Sequence, residues 1–259
     1  MGFTSVNFKH LTLFNSAASS EFLEFFQKSE EDLIAKQDLR KPSQTIAPSS
    51  SWCKRMNWFR LRGVDPDGIA TQRDTVLNFA ADVGTAVHER TQKILKEYLK
   101  DNWIDVGQYL IYNNIQNYKL DPSENGLETR IEWLDTPMRM SVDGIVRWNK
   151  IIYLLEIKTI EYSTFQELTD PKPFHVEQVK QYCAKLHINT VLFMYIDRTY
   201  GNIKVYECTF NDADLDTVRQ DLDELVLYAN AGIAPERPSD KSRCNSNWCK
   251  YFEKCKSWG

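Results

Sequence analysis

The stretch Ile151–Ile160, IIYLLEIKTI, decides how this chain folds. Six of its first seven residues are apolar or aromatic. A run this short and this rich in Ile and Leu predicts a strand buried on both faces. Side chains two apart on a strand share a face, so Glu156 and Lys158 project side by side from its end. Burying a carboxylate and an ammonium is unfavourable unless they pair with each other or serve an ion.

Working outward, Asn149 and Lys150 form a tight turn into this strand. Residues 138–148 (MRMSVDGIVRW) alternate, with Met138, Met140 and Val142 on one face and Ser141 and Asp143 on the other. They are predicted as one strand, preceded by a strand over 127–134 and a turn at 135–137. Short connections imply an antiparallel meander. Residues 107–119 are aromatic and irregular, with a weak strand signal. Residues 73–103 read as a helix, with a possible break near Gly84. On it Val87, Ile94, Leu95 and Tyr98 recur at helical spacing and His88 sits close to their stripe.

Downstream, 161–173 is a loop with two prolines. A helix follows over 174–187 (FHVEQVKQYCAKLH), with Val176, Val179, Cys183 and Leu186 on its core face. Gln178 and Tyr182 lie one turn apart on a second face. Strands are predicted over 190–197 and 203–210, and a helix over 214–231. This order predicts an α/β domain with a central mixed sheet flanked by helices.

The chain has 259 residues, 42% hydrophobic and 12% aromatic, with a formal net charge of −4. That suits one packed domain and argues against an overall basic coat, though a local basic groove stays possible. We expect an N-terminal helical segment over 1–73, a core over 74–232 and a C-terminal segment over 233–259. The first carries an amphipathic helix over 17–38, with Phe22, Phe25, Phe26, Leu33 and Ile34 as apolar positions. No run approaches the roughly 18 apolar residues of a membrane span. Neither a secretory leader nor a GxxxxGK phosphate loop is present, so a cytoplasmic protein without a P-loop motor is expected. In a reducing compartment clustered cysteines favour metal or cluster ligation over disulfides.

Four motifs in order resemble the RecB-like branch of the PD-(D/E)xK nuclease superfamily. They are GTAVH (84–88), SVDGIV around Asp143, LLEIKT around Glu156 and Lys158, and QVKQY (178–182). The resemblance runs from about residue 84 to 183. It implies a restriction-endonuclease-like core and a metal-dependent nuclease, with DNA, single-stranded or at ends, as substrate. By resemblance Gln178 and Tyr182 line the active centre, and Ile157 joins His88, Asp143 and Glu156 at the metal. A homo-oligomer, or recombination and repair partners, are further expectations, in a bacterial, archaeal or virus-infected cell.

The chemistry has a physical sense of its own. Phosphodiester hydrolysis needs a nucleophilic water and neutralisation of charge on phosphate oxygens. Carboxylates at the mouth of a sheet can hold Mg²⁺ or Mn²⁺, and an imidazole favours Mn²⁺. Lys158 can orient the water or contact the phosphate. The plainer reading of Asp143, Glu156 and Lys158 is a buried ion pair closing the sheet. A structure-specific endonuclease and a non-catalytic DNA-binding subunit are the alternatives for the whole chain.

Cys244, Cys249 and Cys255 lie in the tail CNSNWCKYFEKC, and Cys53 lies far upstream in SSSWCKRMNWF. One subgroup of RecB-like nucleases, including CRISPR-associated and AddB-type enzymes, holds a [4Fe–4S] cluster with one cysteine before the core and three after it. The resemblance therefore assigns Cys53, Cys244, Cys249 and Cys255 to such a cluster. The spacing between Cys244 and Cys249 is longer than the usual CxxC. Four thiolates also suit structural Zn²⁺, and unligated thiols are the third reading. Cys183 and Cys208 read as core residues. The segment 52–62, WCKRMNWFRLR, reads either as a helix with a solvated basic face or as phosphate contacts with aromatic stacking. Lys54, Arg55, Trp58, Arg243, Lys250, Tyr251 and Lys254 are expected to gather on one flank around the cysteines.

Overall fold

The computed structural model describes residues 43–67, 75–122, 127–246 and 248–258, with residues 21, 22, 24–26, 28, 29 and 32. Much of the helix expected over 17–38, Leu33 and Ile34 included, lies outside the described residues. Those described are helical, and Phe22, Phe25 and Phe26 are exposed.

The strands are β1 (Trp103–Ile104), β2 (Tyr118–Pro122), β3 (Thr129–Trp133), β4 (Met138–Val142), β5 (Gly144–Trp148), β6 (Ile151–Ile160), β7 (Thr190–Asp197) and β8 (Ile203–Thr209). The helices are α1 (Lys54–Leu61), α2 (Thr75–Leu99), α3 (Val106–Tyr112), α4 (Tyr162–Glu167), α5 (Pro173–Leu186), α6 (Asp212–Ala231) and α7 (Phe252–Ser257).

Strand β6 is the middle of a five-stranded sheet ordered β1-β5-β6-β7-β8. It pairs antiparallel with β5 and parallel with β7, so the sheet is mixed. Asn149 and Lys150 both have positive φ, 50° and 69°, which is the hairpin turn the sequence predicts. A parallel step needs a crossover, and α5 supplies it. Both faces of the sheet are covered, as the apolar run requires. On one, Val146, Tyr153, Leu155 and Ile157 pack with Val87, Leu95 and Leu99 of α2. On the other, Ile145, Leu154, Val191, Phe193 and Tyr195 belong to the large core built with α1, α5 and α6. This is the α/β architecture expected, with a central mixed sheet between helices.

Residues 138–148 depart from the single strand predicted for them. They form β4 and β5, in two different sheets, and the chain changes sheet at Asp143. β4 closes a three-stranded antiparallel sheet ordered β2-β3-β4. Other corrections are local. Helix α2 runs unbroken through Gly84. Residues 106–112 are helical, not irregular, and Asp105 caps them by accepting from Gln108 N at 2.8 Å. The loop over 161–173 contains α4. The serines before Trp52 form a 3-10 turn, Pro48–Ser50, and Cys53 is the N-cap of α1.

The basic residues of helix α1 and its C-cap all have protein partners, although Lys54 and Arg62 are also exposed to solvent. Trp58 and Phe59 are fully buried. Arg55 donates to Pro235 O at 2.7 Å, Arg60 to Thr45 O at 3.2 Å and Arg62 to Ala229 O at 3.2 Å. The guanidiniums of Arg55 and Arg60 satisfy carbonyls of irregular segments, and that of Arg62 a carbonyl in the last turn of α6. Lys54 pairs with Asp221 at 2.7 Å. The two flanks of the core are tied together by the same logic. Asp67 N donates to Lys250 O, and the Asp67 carboxylate accepts from the backbone N–H of Glu253 and Lys254. Tyr251 stacks on Phe59 at 5.1 Å. No helix among the described residues is long and apolar enough to cross a membrane.

Candidate active site

The site forms where β6 outruns its neighbour. β5 pairs only with Ile151 to Leu155, so the edge of β6 beyond Leu155 has no strand on that side. The Ile157 N–H would be left bare there. Asp143, the residue just before β5, takes it on Oδ2 at 2.8 Å. The break between β4 and β5 therefore places Asp143 beside Glu156 and Ile157. Gly144 is required at this corner, because a Cβ would meet the Trp103 ring at 2.7 Å. Gln92, one turn after His88 on α2, donates to Asp143 O at 2.7 Å and fixes the corner from the helix side.

Glu156 and Lys158 project toward α5, as two residues on one strand face should. Lys158 Nζ lies 2.5 Å from Glu156 Oε1. Gln178 Nε2 donates to Glu156 Oε1 at 3.1 Å and to Tyr182 OH at 2.9 Å, and Lys158 Nζ reaches Gln178 Oε1 at 3.4 Å. His88 Nδ1 stands 3.6 Å from Asp143 Oδ1. All of the residues His88, Asp143, Glu156, Lys158, Gln178 and Tyr182 are thus in one neighbourhood. Ile157 contributes only backbone, since its side chain is buried under α2.

Burial pushes the Glu156 carboxyl up to about 7, with Asp143 adding to the rise and Lys158 opposing it. Burial works against the Lys158 ammonium, yet the Glu156 and Asp143 charges outweigh it and hold its pKa above the ordinary value. A cation at this site must compete with the proton on Glu156. We expect apparent Mn²⁺ affinity to fall about tenfold per pH unit below about 7 and to flatten above it. The sign for folding is opposite. Without a cation, the unfolded chain releases this proton first, so stability declines as pH rises from 4.5 through 7. Mn²⁺ titrations and urea melts between pH 5 and 8 check both slopes.

As they stand, no three His, Cys, Asp or Glu among the described residues form a set that could hold a metal ion. Glu156 is turned to Lys158 and Gln178. By chemistry, however, two carboxylates and an imidazole converging at a strand end suit a hard divalent cation.

A cleft of about 570 Å³ opens beside the site. Gly84, Thr85, His88, Gln92, Thr159 and Arg198 line part of it. A Cβ at Gly84 would come within 3.1 Å of Thr159 Oγ1, so the glycine lets α2 approach the end of β6 closely. Gln92, Thr159 and Arg198 were not singled out by motif. Gln92 had a readable signal, a polar residue at i+4 from His88 beside an apolar stripe.

The four cysteines assigned to a cluster lie within electrostatic reach of one another. Cys53 is raised to about 11, first by burial, and the charges of Cys249, Cys244 and Cys255 add to the rise. Arg55 Nη1 lies 3.8 Å from Cys255 Sγ. All six cysteines are free thiols, and Cys183 is a buried core residue as expected, while Cys208 is partly exposed. As at the carboxylate site, the thiols are not arranged as a closed cage.

A scan against protein-family models found no match, and neither did a search of curated proteins. Among solved structures, the chain is similar to the crystal structure of SSO0001, with a TM-score of 0.50 at 17% identity over 92% of this chain and 97% of that one. It also matches an alkaline exonuclease from Laribacter hongkongensis, with a TM-score of 0.41 at 13% identity over 76% of this chain and 94% of that one. The same enzyme in complex with dAMP matches with a TM-score of 0.38 at 14% identity, over 74% and 91%. The first likeness shows a fold shared over nearly the whole chain. The other two are too distant to bear on this chain's chemistry, which has to be read from its own site.

Proposed function

We propose that this chain is a divalent-cation-dependent nuclease that hydrolyses DNA phosphodiester bonds from strand ends, with single-stranded DNA preferred. One observation carries the reading. Asp143, Glu156, Lys158 and His88 come from three elements and meet at an open strand end beside a cleft. A plain ion pair closing the sheet needs Glu156 and Lys158 alone. The Ile157 N–H accounts for one oxygen of Asp143, but neither the pair nor that bond gives a reason for the His88 imidazole beside the other oxygen.

His88, Asp143, Glu156 and the Ile157 backbone are the groups that would hold Mg²⁺ or Mn²⁺. The ion would lower the pKa of the attacking water and neutralise charge on the phosphate. Lys158 donates to a non-bridging phosphate oxygen or to the water, and Gln178 holds Glu156 and Lys158 in register. Tyr182, held by Gln178, contributes its hydroxyl to the floor of the site. Water adds to phosphorus in line, the bond to the leaving sugar oxygen breaks, and the water's proton passes to solvent or a basic group. We further propose that Cys53, Cys244, Cys249 and Cys255 hold a [4Fe–4S] cluster that joins the two flanks of the core.

End-labelled linear single strands and covalently closed circles, each with Mn²⁺ or Mg²⁺, test the first proposal. Nucleotides should be released from the linear DNA and the circles left intact. Efficient cutting of circles would make this an endonuclease. Anaerobically purified protein should be brown and hold about four irons per chain. Colourless protein with one zinc would replace the cluster by a structural zinc site.

A further inference from the structure

The flank expected to be broadly basic is mostly committed inward. Arg55, Arg60 and Arg62 hold backbone carbonyls, Lys54 holds Asp221, and Lys254 Nζ holds Asp65 O at 2.6 Å. Arg243 is different. Its guanidinium carbon lies 3.8 Å from the centre of the Phe174 ring, 5.0 Å from that of Trp248 and 5.9 Å from that of Trp52. Lys172, the N-cap of α5, adds a second cation 5.9 Å over Phe174. Neither cation has a salt bridge among the described residues. The carboxylates facing them are engaged elsewhere, Asp240 with Ser242 and Glu161 with Arg198.

The position of this group gives it meaning. Phe174, Gln178 and Tyr182 fall at i, i+4 and i+8 on α5 and form one stripe. Gln178 touches Glu156 and Lys158. Phe174 and the Arg243 layered on it therefore sit about 6 Å further along the same stripe, roughly one helical turn from the carboxylate site. Trp248 is 63% exposed, with its indole available to solvent. A guanidinium stacked on an aromatic keeps its outer face and N–H fork available to a base or a phosphate. An exposed indole offers a stacking surface that accepts any base.

We propose that Arg243, Phe174, Trp248 and Lys172 form the platform that receives a single DNA strand and leads it to Glu156 and Lys158. The inference rests on the nuclease reading and names the substrate path of that same site. The segment that carries Cys244 and Cys249 also carries Arg243 and Trp248.

The test is binding of a fluorescein-labelled dT 20-mer to the full chain by anisotropy, in EDTA so that nothing is cut. The variants are Arg243→Gln and Trp248→Ala, with Lys119→Gln, an exposed lysine on β2, as the charge-matched control. Each platform variant should weaken binding about tenfold, and Lys119→Gln should stay within about twofold of wild type. The two losses should differ in kind. Arg243→Gln should reduce the salt dependence of binding by about one phosphate contact, and Trp248→Ala should leave that dependence unchanged. Wild-type affinity in both variants, with circular dichroism unchanged, would overturn the platform. If that protein still degraded DNA, the nuclease reading would stand without it. Conversely, the expected losses in a protein that cuts no DNA would keep the platform and overturn the nuclease.

Discussion

Under the proposed function, Lys158→Ala should lower the rate of DNA cleavage by about a hundred- to a thousandfold, the loss expected when one preorganised charge is removed from a transition state. The ammonium lies 2.5 Å from Glu156 Oε1 and reaches Gln178 as well. Its removal leaves the Glu156 carboxyl buried with its nearest countercharge gone, so that carboxyl takes up a proton more readily and holds a cation less well. Lys158→Arg should not rescue the rate, because a planar fork cannot occupy the place of a point charge between Glu156 and Gln178. Single-turnover kinetics at saturating Mn²⁺ measure the effect. A purely structural pair predicts something else. Breaking it by removing one partner costs stability, about 3–5 kcal/mol, whereas replacing both partners with apolar residues is near neutral. The double variant Glu156→Leu with Lys158→Met should therefore fold at least as well as Lys158→Ala and cut no DNA.

Trp58→Ala is the second large effect, and it acts on folding. Trp58 is fully buried on α1, edge-on to Phe59 and Trp258 at 5.1 Å each, with its indole N–H donating to Tyr228 O at 3.2 Å. The indole therefore joins the N-terminal flank, α6 and the end of α7. Truncation leaves a large cavity and removes one of the hydrogen bonds to Tyr228 O, and should cost about 3–5 kcal/mol. Against a total of about 5–15 kcal/mol, that is enough to loosen the flank that carries Cys53. Urea denaturation should show a lower midpoint with little change in slope. An unchanged midpoint would mean that the flank is not part of the cooperative unit.

How far the sequence reveals the molecule depends on how local each cause is. β6 and β7 are legible to the residue, because long apolar runs bounded by turns leave few alternatives. α5 is legible because Val179, Cys183 and Leu186 keep a helical spacing. The break at Asp143 is not legible. Alternation continues from Met138 through Val142, Gly144 and beyond, and nothing local says that the strand changes sheet there. Yet that break brings Asp143 to the bare Ile157 N–H. The motif located the carboxylate, and its reach came only from the fold. The helix α1 shows the converse. Its basic residues have the composition of a nucleic-acid surface, and whether they face solvent or backbone carbonyls depends on chain segments far away in sequence. Arg243 sits in the least regular tail, and its stacking on Phe174 has no sequence signature at all.

In the proposed function Asp143, Glu156, Lys158 and His88 make one phosphodiesterase centre. Its most direct test is the rate at which wild-type protein degrades linear single-stranded DNA with Mn²⁺, beside the same reaction in EDTA and with Lys158→Ala. Degradation with Mn²⁺, none in EDTA, and a collapse in the folded variant are the predicted results. A folded wild-type protein that cleaves no DNA with any divalent cation would contradict the account.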